Sequence, residues 1–182
     1  MRLFVGIAPA GAVARELKNV VARLRSGDCG LRWSEPDSWH ITLQFLGNAT
    51  PVQYDCLMEQ LGKVRSAPVP VELGALGCFD HAGALIVHVA ATPGLTALAE
   101  RVMAATSQCG FATETRPYHP HITLARAKGK GRDAELRALA SRMRSQRAFT
   151  RFVAREFLLY ESHLGAEGAR YAVRGRFPLN GP

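Results

Sequence analysis

The sequence predicts a two-lobed α+β fold, in which two mainly antiparallel sheets with outer helices face each other across a central cleft and are related by an approximate twofold axis. The predicted elements run strand, helix, strand, helix, two strands, helix, strand, helix, two strands, an order that indicates two similar halves. No Gly-x-Gly-x-x-Gly sequence follows a predicted strand and no P-loop is present, which disfavours a doubly wound nucleotide-binding fold. We therefore expect residues 1–182 to form one two-lobed domain.

The first half of the chain alternates strand and helix patterns. Residues 1–7 have the β-branched and aromatic content of a buried strand, and residues 11–25 carry apolar side chains at three- and four-residue intervals, as an amphipathic helix does. Residues 26–37 are rich in glycine, proline and charge, which predicts a loop. The remaining predictions here are a strand over residues 39–47, a helix over 52–64 and paired strands over 69–76 and 85–90.

The second half shows the same patterns. Pro93 predicts the start of a helix that continues to about residue 107, because proline is favoured in the first helical turn. A loop over residues 109–118 then leads into an alternating segment over 119–124. The remaining predictions are a basic linker around residues 128–131, a helix over 133–144 and strands near 151–159 and 170–177.

The hydropathy pattern predicts a cytoplasmic protein, and the cysteine spacing predicts no metal site. No stretch reaches the roughly 18 uncharged apolar residues of a membrane span, and no signal peptide opens the chain. The four cysteines form no Cys-x-x-Cys pair and have no His-x-x-x-His partner, so we expect reduced, semi-buried thiols and no zinc site. A monomer is the expected state. The cysteines are Cys29, Cys56, Cys78 and Cys109.

Positive charge is concentrated in one part of the sequence. The formal net charge is +8, and residues 126–155 contain ten Lys or Arg against only Asp133 and Glu135, which is 10 − 2 = +8. Such a cluster attracts polyanions and suits phosphate or nucleic acid, and we hypothesise that it guides such a ligand towards the cleft. A solvated helix face explains the charge equally well.

A tetrapeptide occurs twice, in two segments that are each predicted to be strands. His40-Ile41-Thr42-Leu43 recurs 81 residues later as His121-Ile122-Thr123-Leu124. Because side chains alternate along a strand, each copy places its His and Thr on one face and its Ile and Leu on the other. An approximate twofold axis between the halves would bring the two polar faces together across the cleft.

Two opposed imidazoles suit in-line displacement at phosphorus. One histidine removes a proton from the attacking oxygen and the other protonates the leaving oxygen, and an ordinary pKa near 6.5 makes both protonation states accessible. The Thr42 and Thr123 hydroxyls can donate to the non-bridging oxygens. This chemistry needs neither a metal nor a cofactor, and we expect neither.

These residues resemble a known family. Two His-x-Thr motifs mark the two-histidine phosphoesterase superfamily, and more narrowly the sequence is similar to the RNA 2′,3′-cyclic phosphodiesterases of bacteria and archaea, also called LigT-like or ThpR-type proteins. The resemblance covers nearly the whole chain, and no motif position departs from it. The matching segments are residues 2–7, 39–47, 116–126 and 159–162.

The resemblance implies an activity and a role for each residue. It implies hydrolysis of RNA 2′,3′-cyclic phosphate ends to 2′-phosphomonoesters, with small cyclic nucleotides as further substrates and no membrane partner. His40 would be the acid on O3′ and His121 the base for water, although two identical motifs do not distinguish the roles. Arg126 matches a phosphate-contacting position, but counting by two from His121 turns Arg126 away from the cleft unless the strand bulges there.

Other side chains near the motifs carry weaker indications of function. We expect His119 to have a structural or rim role and His88 to be a partly buried strand histidine. His119 and His121 do not by themselves predict a zinc site, because such a site needs at least three protein ligands. Trp39, Tyr118 and Phe79 are candidate stacking platforms for the terminal base. Strand parity places Phe45 in the core with Ile41 and Leu43, so we exclude Phe45 as a stacking platform.

Three alternatives remain open at this point. The same two histidines could catalyse the reverse reaction, which joins RNA ends through a 2′-5′ linkage. The substrate could instead be a 2′-5′-oligoadenylate or a small cyclic nucleotide. A non-catalytic module that binds nucleotides or RNA ends is the third alternative, although it predicts a damaged motif and both copies are intact.

Overall fold

A computed structural model describes residues 1–25, 30–79, 82–129, 131–142, 149–165 and 168–181. It confirms an α+β fold. The strands are β1 (Arg2–Ile7), β2 (Leu31–Trp33), β3 (Ile41–Asn48), β4 (Val69–Val71), β5 (Leu73–Phe79), β6 (Ala84–Val89), β7 (His121–Ala127), β8 (Phe152–Ala154), β9 (Glu156–Gly165) and β10 (Gly168–Pro178). The α-helices are α1 (Gly11–Leu24), α2 (Pro51–Gly62), α3 (Pro93–Ser107) and α4 (Asp133–Arg142).

Eight strands form one antiparallel sheet that consists of two four-stranded halves. The order is β10-β9-β1-β3-β7-β6-β5, with β2 added alongside β7. In the described part of the chain, β3 and β7 pair at one position only, Ile41 with Ile122. The first half is therefore β10-β9-β1-β3, and the second half is β7 with β6, β5 and β2. Strands β4 and β8 form a separate two-stranded sheet.

The helices cover one face of the large sheet. Helix α1 buries Val13, Leu17 and Val20, the apolar stripe that its spacing predicts. Helix α2 begins at Pro51 after a capping box between Thr50 and Gln53, which satisfies backbone donors at the helix start. These helices pack on the same core that buries Ile41 and Ile122, both 0% exposed. The histidine residues of the motifs consequently belong to the opposite face.

Two local predictions were wrong. Leu31–Trp33 lies in the predicted loop but forms β2, because pairing with β7 stabilises a strand too short to show an alternating pattern. Residues 69–76 divide between β4, which pairs with β8, and β5, which pairs with β6. Pro70 fits in β4 because a two-stranded sheet has an open edge on each strand. The last two residues of the predicted helix over 133–144 lie outside the described ranges.

The expectation of four reduced thiols was also wrong, because Cys56 and Cys109 form a disulfide across a sequence separation of 53 residues. Helix α2 packs beside α3, and Cys109 follows the end of α3, which brings the two sulfur atoms together. The Gln53 amide also donates to the Cys109 carbonyl at 3.4 Å. Cys29 lies outside the described residues.

Among the helices that the structure describes, none has the length and apolar composition needed to cross a bilayer.

Candidate active site

All five residues predicted for the site line one cavity of about 670 Å³. Strand β3 begins directly after the first histidine, and β7 begins at the second. Because the isoleucine of each motif points into the core, the His and Thr on either side of it point to the opposite face. The five residues are His40, Thr42, His121, Thr123 and Arg126.

Both imidazoles are oriented in the same way. The His40 Nδ1 lies 2.7 Å from the Ser38 carbonyl oxygen, and the His121 Nδ1 lies 2.8 Å from the His119 carbonyl oxygen. A carbonyl oxygen only accepts, so each Nδ1 carries the proton and donates it. Each Nε2 is thereby left to take or give a proton. His119 contributes its backbone to this arrangement.

The surroundings lower the pKa of both histidines. Burial lowers the pKa of His40 from 6.5 to about 4, the Ser38 carbonyl opposes this, and positive charge at His121 and Arg126 adds to the lowering. Burial also lowers the pKa of His121, and Arg126 adds to this although the His119 carbonyl opposes it. Both imidazoles are therefore mainly neutral at pH 7 in the unliganded protein. A bound phosphate anion acts in the opposite direction and favours the imidazolium.

The two histidines differ in their aromatic neighbours. The ring centroid of His40 lies 4.5 Å from that of Phe4, 5.1 Å from that of Tyr171 and 5.9 Å from that of Tyr160. His121 meets the ring of Phe79 edge-on at 4.8 Å. The first half of the sheet thus encloses its histidine more completely, which agrees with burial as the main cause of the low His40 pKa.

A bulge in β7 brings Arg126 to the cavity. On β6, Ile86 pairs with Thr123 but the neighbouring Leu85 pairs with Ala125, so one residue of β7, Leu124, has no partner in the ladder. The extra residue reverses the alternation. Leu124 and Ala125 are both buried, and Arg126 returns to the face of Thr123.

The same irregularity occurs in β3. On β1, Gly6 pairs with Thr42 but Val5 pairs with Gln44, so Leu43 is the extra residue. Phe45 is consequently 70% exposed and lines the cavity. The exclusion of Phe45 by strand parity was wrong, because parity counts assume that no bulge intervenes. Phe45 thus occupies in β3 the place that Arg126 has in β7.

The other aromatic candidates lie in different places. Trp39 is 3% exposed and belongs to the core, so it offers no stacking surface. Tyr118 packs against the core, and its hydroxyl donates to the Thr42 carbonyl at 3.1 Å. Phe79 contacts His121. The expectation of a partly buried His88 was wrong, because its side chain is exposed. His88 lies directly opposite His121 in the β6–β7 ladder and contributes to the lowering of the His121 pKa.

The charges on the cavity wall come largely from outside the basic segment. Of that segment's described cations, only Arg126 lines the cavity. Helix α4 buries Leu136 in the core that contains Ile122, so it lies on the sheet face away from the histidines. Sequence reasoning missed three arginines of the cavity because they come from three different strands with no shared motif. They are Arg2, Arg32 and Arg170.

No group of three or more His, Cys, Asp or Glu side chains that could hold a metal ion occurs within the described ranges. Apart from the Glu35 carboxylate, the polar side chains of the cavity carry imidazoles, hydroxyls and guanidiniums. All three groups donate hydrogen bonds, and guanidinium and protonated imidazole carry positive charge, which suits a phosphate ester.

Comparison with known proteins identifies relatives over nearly the whole chain. A protein of Bacillus subtilis (strain 168) named RNA 2′,3′-cyclic phosphodiesterase is 31% identical over 154 residues, which is 82% of this chain and 81% of the relative. One of the same name from Archaeoglobus fulgidus is 29% identical over 174 residues, 94% of this chain and 96% of the relative.

A solved structure shares the fold. The crystal structure of E. coli LigT complexed with 3′-AMP superposes with a TM-score of 0.78 at 23% identity, covering 98% of this chain and 97% of that chain. Residues 12–165 match the family model described as the 2′-5′ RNA ligase superfamily. The chain belongs to the 2′-5′ RNA ligase superfamily.

Proposed function

We propose that this protein hydrolyses RNA 2′,3′-cyclic phosphate ends to 2′-phosphomonoesters, without a metal, with His40 and His121 as its acid and base. The observation that supports this most is the placement of both His-x-Thr motifs on one cavity, with each Nδ1 held by a backbone carbonyl. The names of the Bacillus and Archaeoglobus relatives point to the same reaction.

In the proposed step, a water molecule attacks phosphorus on the side opposite O3′. The Nε2 of His121 takes a proton from the water as the new P–O bond forms. The Nε2–H of His40 gives its proton to O3′ as the P–O3′ bond breaks. The products are a 3′-hydroxyl and a phosphate that stays on O2′, and the Thr42 and Thr123 hydroxyls donate to the non-bridging oxygens.

The proton states of the two histidines are exchanged by one turnover. His40 begins protonated and ends neutral, while His121 does the reverse, so both must re-equilibrate with solvent before the next cycle. Because the unliganded site holds both imidazoles mainly neutral at pH 7, binding of the anionic substrate must be coupled to uptake of one proton. Arg126 can hold the phosphate but cannot supply this proton.

The test is hydrolysis of an RNA oligonucleotide with a 2′,3′-cyclic phosphate end, in the presence of EDTA. Wild type should produce the 2′-phosphate, and His40→Ala and His121→Ala should each lose about 10²- to 10⁴-fold in kcat. His163→Ala is the matched control, because His163 lies on β9 and does not line the cavity. Loss of turnover with EDTA, a 3′-phosphate product, or full activity in either histidine variant would contradict the proposal.

A further inference from the structure

Strands β2 and β7 place two arginines directly opposite each other on the cavity wall. Arg32 pairs with Arg126 in the antiparallel ladder, and both residues are exposed and line the cavity. Directly opposite residues emerge on the same face, with Cβ atoms about 4.5–5.5 Å apart, and like charges in this arrangement destabilise a sheet. The fold therefore holds two guanidinium groups in an unfavourable position.

In the part of the chain that the structure describes, this arginine pair has no ion-pair partner. Within the residues that the structure describes, neither Arg32 nor Arg126 takes part in an ion pair or a side-chain hydrogen bond. Glu35 also lines the cavity, but no ion pair joins it to either arginine. A like-charged pair without a carboxylate partner is the expected arrangement for a site whose counter-charge arrives with the ligand.

We propose that Arg32, together with Arg126, binds a second phosphate of the substrate, namely the phosphate on the 5′ oxygen of the terminal nucleoside. This inference rests on the proposed function. In an RNA chain that group is the phosphodiester to the preceding nucleotide. In this arrangement Arg126 lies between the two phosphates, and Arg32 contacts only the second phosphate.

One observation and one feature of the proposed complex place Arg32 away from the phosphate that reacts. That phosphate already meets two imidazoles and two threonine hydroxyls in the proposed complex. Arg126 is close enough to lower the pKa of both His40 and His121, whereas Arg32 is not among the charges that affect either one.

The cavity is also large enough for the second group. Its volume of about 670 Å³ lies in the range of pockets that enclose a whole small-molecule ligand rather than a single phosphate. A nucleoside with phosphates at both ends fits this size.

The test compares adenosine 2′,3′-cyclic phosphate with the same compound carrying a 5′-phosphate. A charge-assisted contact is worth about 1.5–3 kcal/mol, so wild type should show a KM about 10- to 100-fold lower for the 5′-phosphorylated compound. Arg32→Gln should remove most of this difference, because KM should rise much more for the 5′-phosphorylated compound than for the unphosphorylated one. Arg32→Lys should retain part of the difference, because lysine still supplies a point charge.

The matched control is Arg101→Gln, an exposed arginine on α3 that lies outside the cavity and should keep the full difference. Equal KM values for the two compounds in wild type, or an equal rise for both in Arg32→Gln, would overturn the inference.

Binding provides a readout that does not depend on turnover. By calorimetry, wild type should bind adenosine 2′,5′-bisphosphate more tightly than adenosine 2′-phosphate, and Arg32→Gln should lose most of this preference. If wild type opens neither cyclic compound, the proposed function fails, and this comparison still decides whether Arg32 binds a 5′-phosphate. A preference for the bisphosphate that is undiminished in Arg32→Gln would overturn the inference.

Discussion

Ile41 and Ile122 are antiparallel partners at the centre of the large sheet, and both side chains are completely buried. Because the strands are antiparallel, His40 and Thr123 follow this pair at one end, and Thr42 and His121 follow it at the other. All four residues line the same cavity, so each imidazole shares its end of the pair with the threonine of the other motif. One half of the sheet alone provides no complete site.

The pH dependence of the reaction should reflect the lowered histidine pKa values. When the pH exceeds both histidine pKa values, the unliganded enzyme lacks the one proton that the mechanism needs. We therefore expect kcat/KM to fall as pH rises, by up to about tenfold per pH unit above about pH 6.5. Bound phosphate raises the imidazole pKa, so kcat should persist to higher pH than kcat/KM. The measurement is both constants for a nucleoside 2′,3′-cyclic phosphate from about pH 4.5 to 9. A kcat/KM that stays constant above about pH 6.5 would contradict the lowered histidine pKa values.

Tyr118→Phe should weaken the connection between the two halves. The Tyr118 hydroxyl donates to the Thr42 carbonyl across 76 residues of sequence, and its removal should lower the free energy of unfolding by about 1 kcal/mol. We expect kcat to fall about fivefold with little change in KM, because the Thr42 hydroxyl is less well positioned. Tyr54→Phe is the control, since that hydroxyl also donates to a backbone carbonyl, of Arg174, outside the cavity. Equal effects of the two substitutions on kcat would contradict the positioning role.

The repeated motif carried enough information to predict that its histidines and threonines share one cavity, and local pairing explains what the motif missed. Strand parity correctly turned Ile41 and Ile122 inward. It failed at Phe45, because a bulge depends on the register with a partner strand, which one strand's own sequence does not show. The contribution of β2 was missed for the same reason, since three residues form a strand there only in contact with β7. The disulfide joins cysteines that only the packing of α2 beside α3 brings together.

Phe45→Ala should impair binding of RNA ends. Phe45 exposes most of its ring on the cavity wall, and stacking of a base on such a ring is worth about 1–3 kcal/mol. KM should therefore rise by roughly 5-fold or more, while Phe45→Tyr keeps the wild-type value. Val52→Ala is the control, because Val52 is 79% exposed but does not line the cavity. An unchanged KM in Phe45→Ala would show that no base stacks there.

The Cys56–Cys109 disulfide should stabilise the fold without taking part in the reaction. Removing a disulfide costs about 2–4 kcal/mol, mainly because the unfolded chain gains freedom. Denaturant unfolding of wild type should show this loss when reductant is added. Cys56→Ser cannot form the disulfide, so it should have the lower free energy of unfolding both with and without reductant. This variant is therefore the internal control. Identical unfolding free energies for oxidised and reduced wild type would contradict a stabilising role.

The division of roles between the two histidines is tested most directly with a substrate that does not need a general acid. Replacing O3′ of the cyclic phosphate by sulfur gives a leaving group that departs as a thiolate without protonation. Hydrolysis of this compound should restore most of the activity lost in His40→Ala, a recovery of about 10²-fold or more, while His121→Ala stays inactive. Recovery in His121→Ala instead, or in neither variant, would contradict the assignment of His40 as acid and His121 as base.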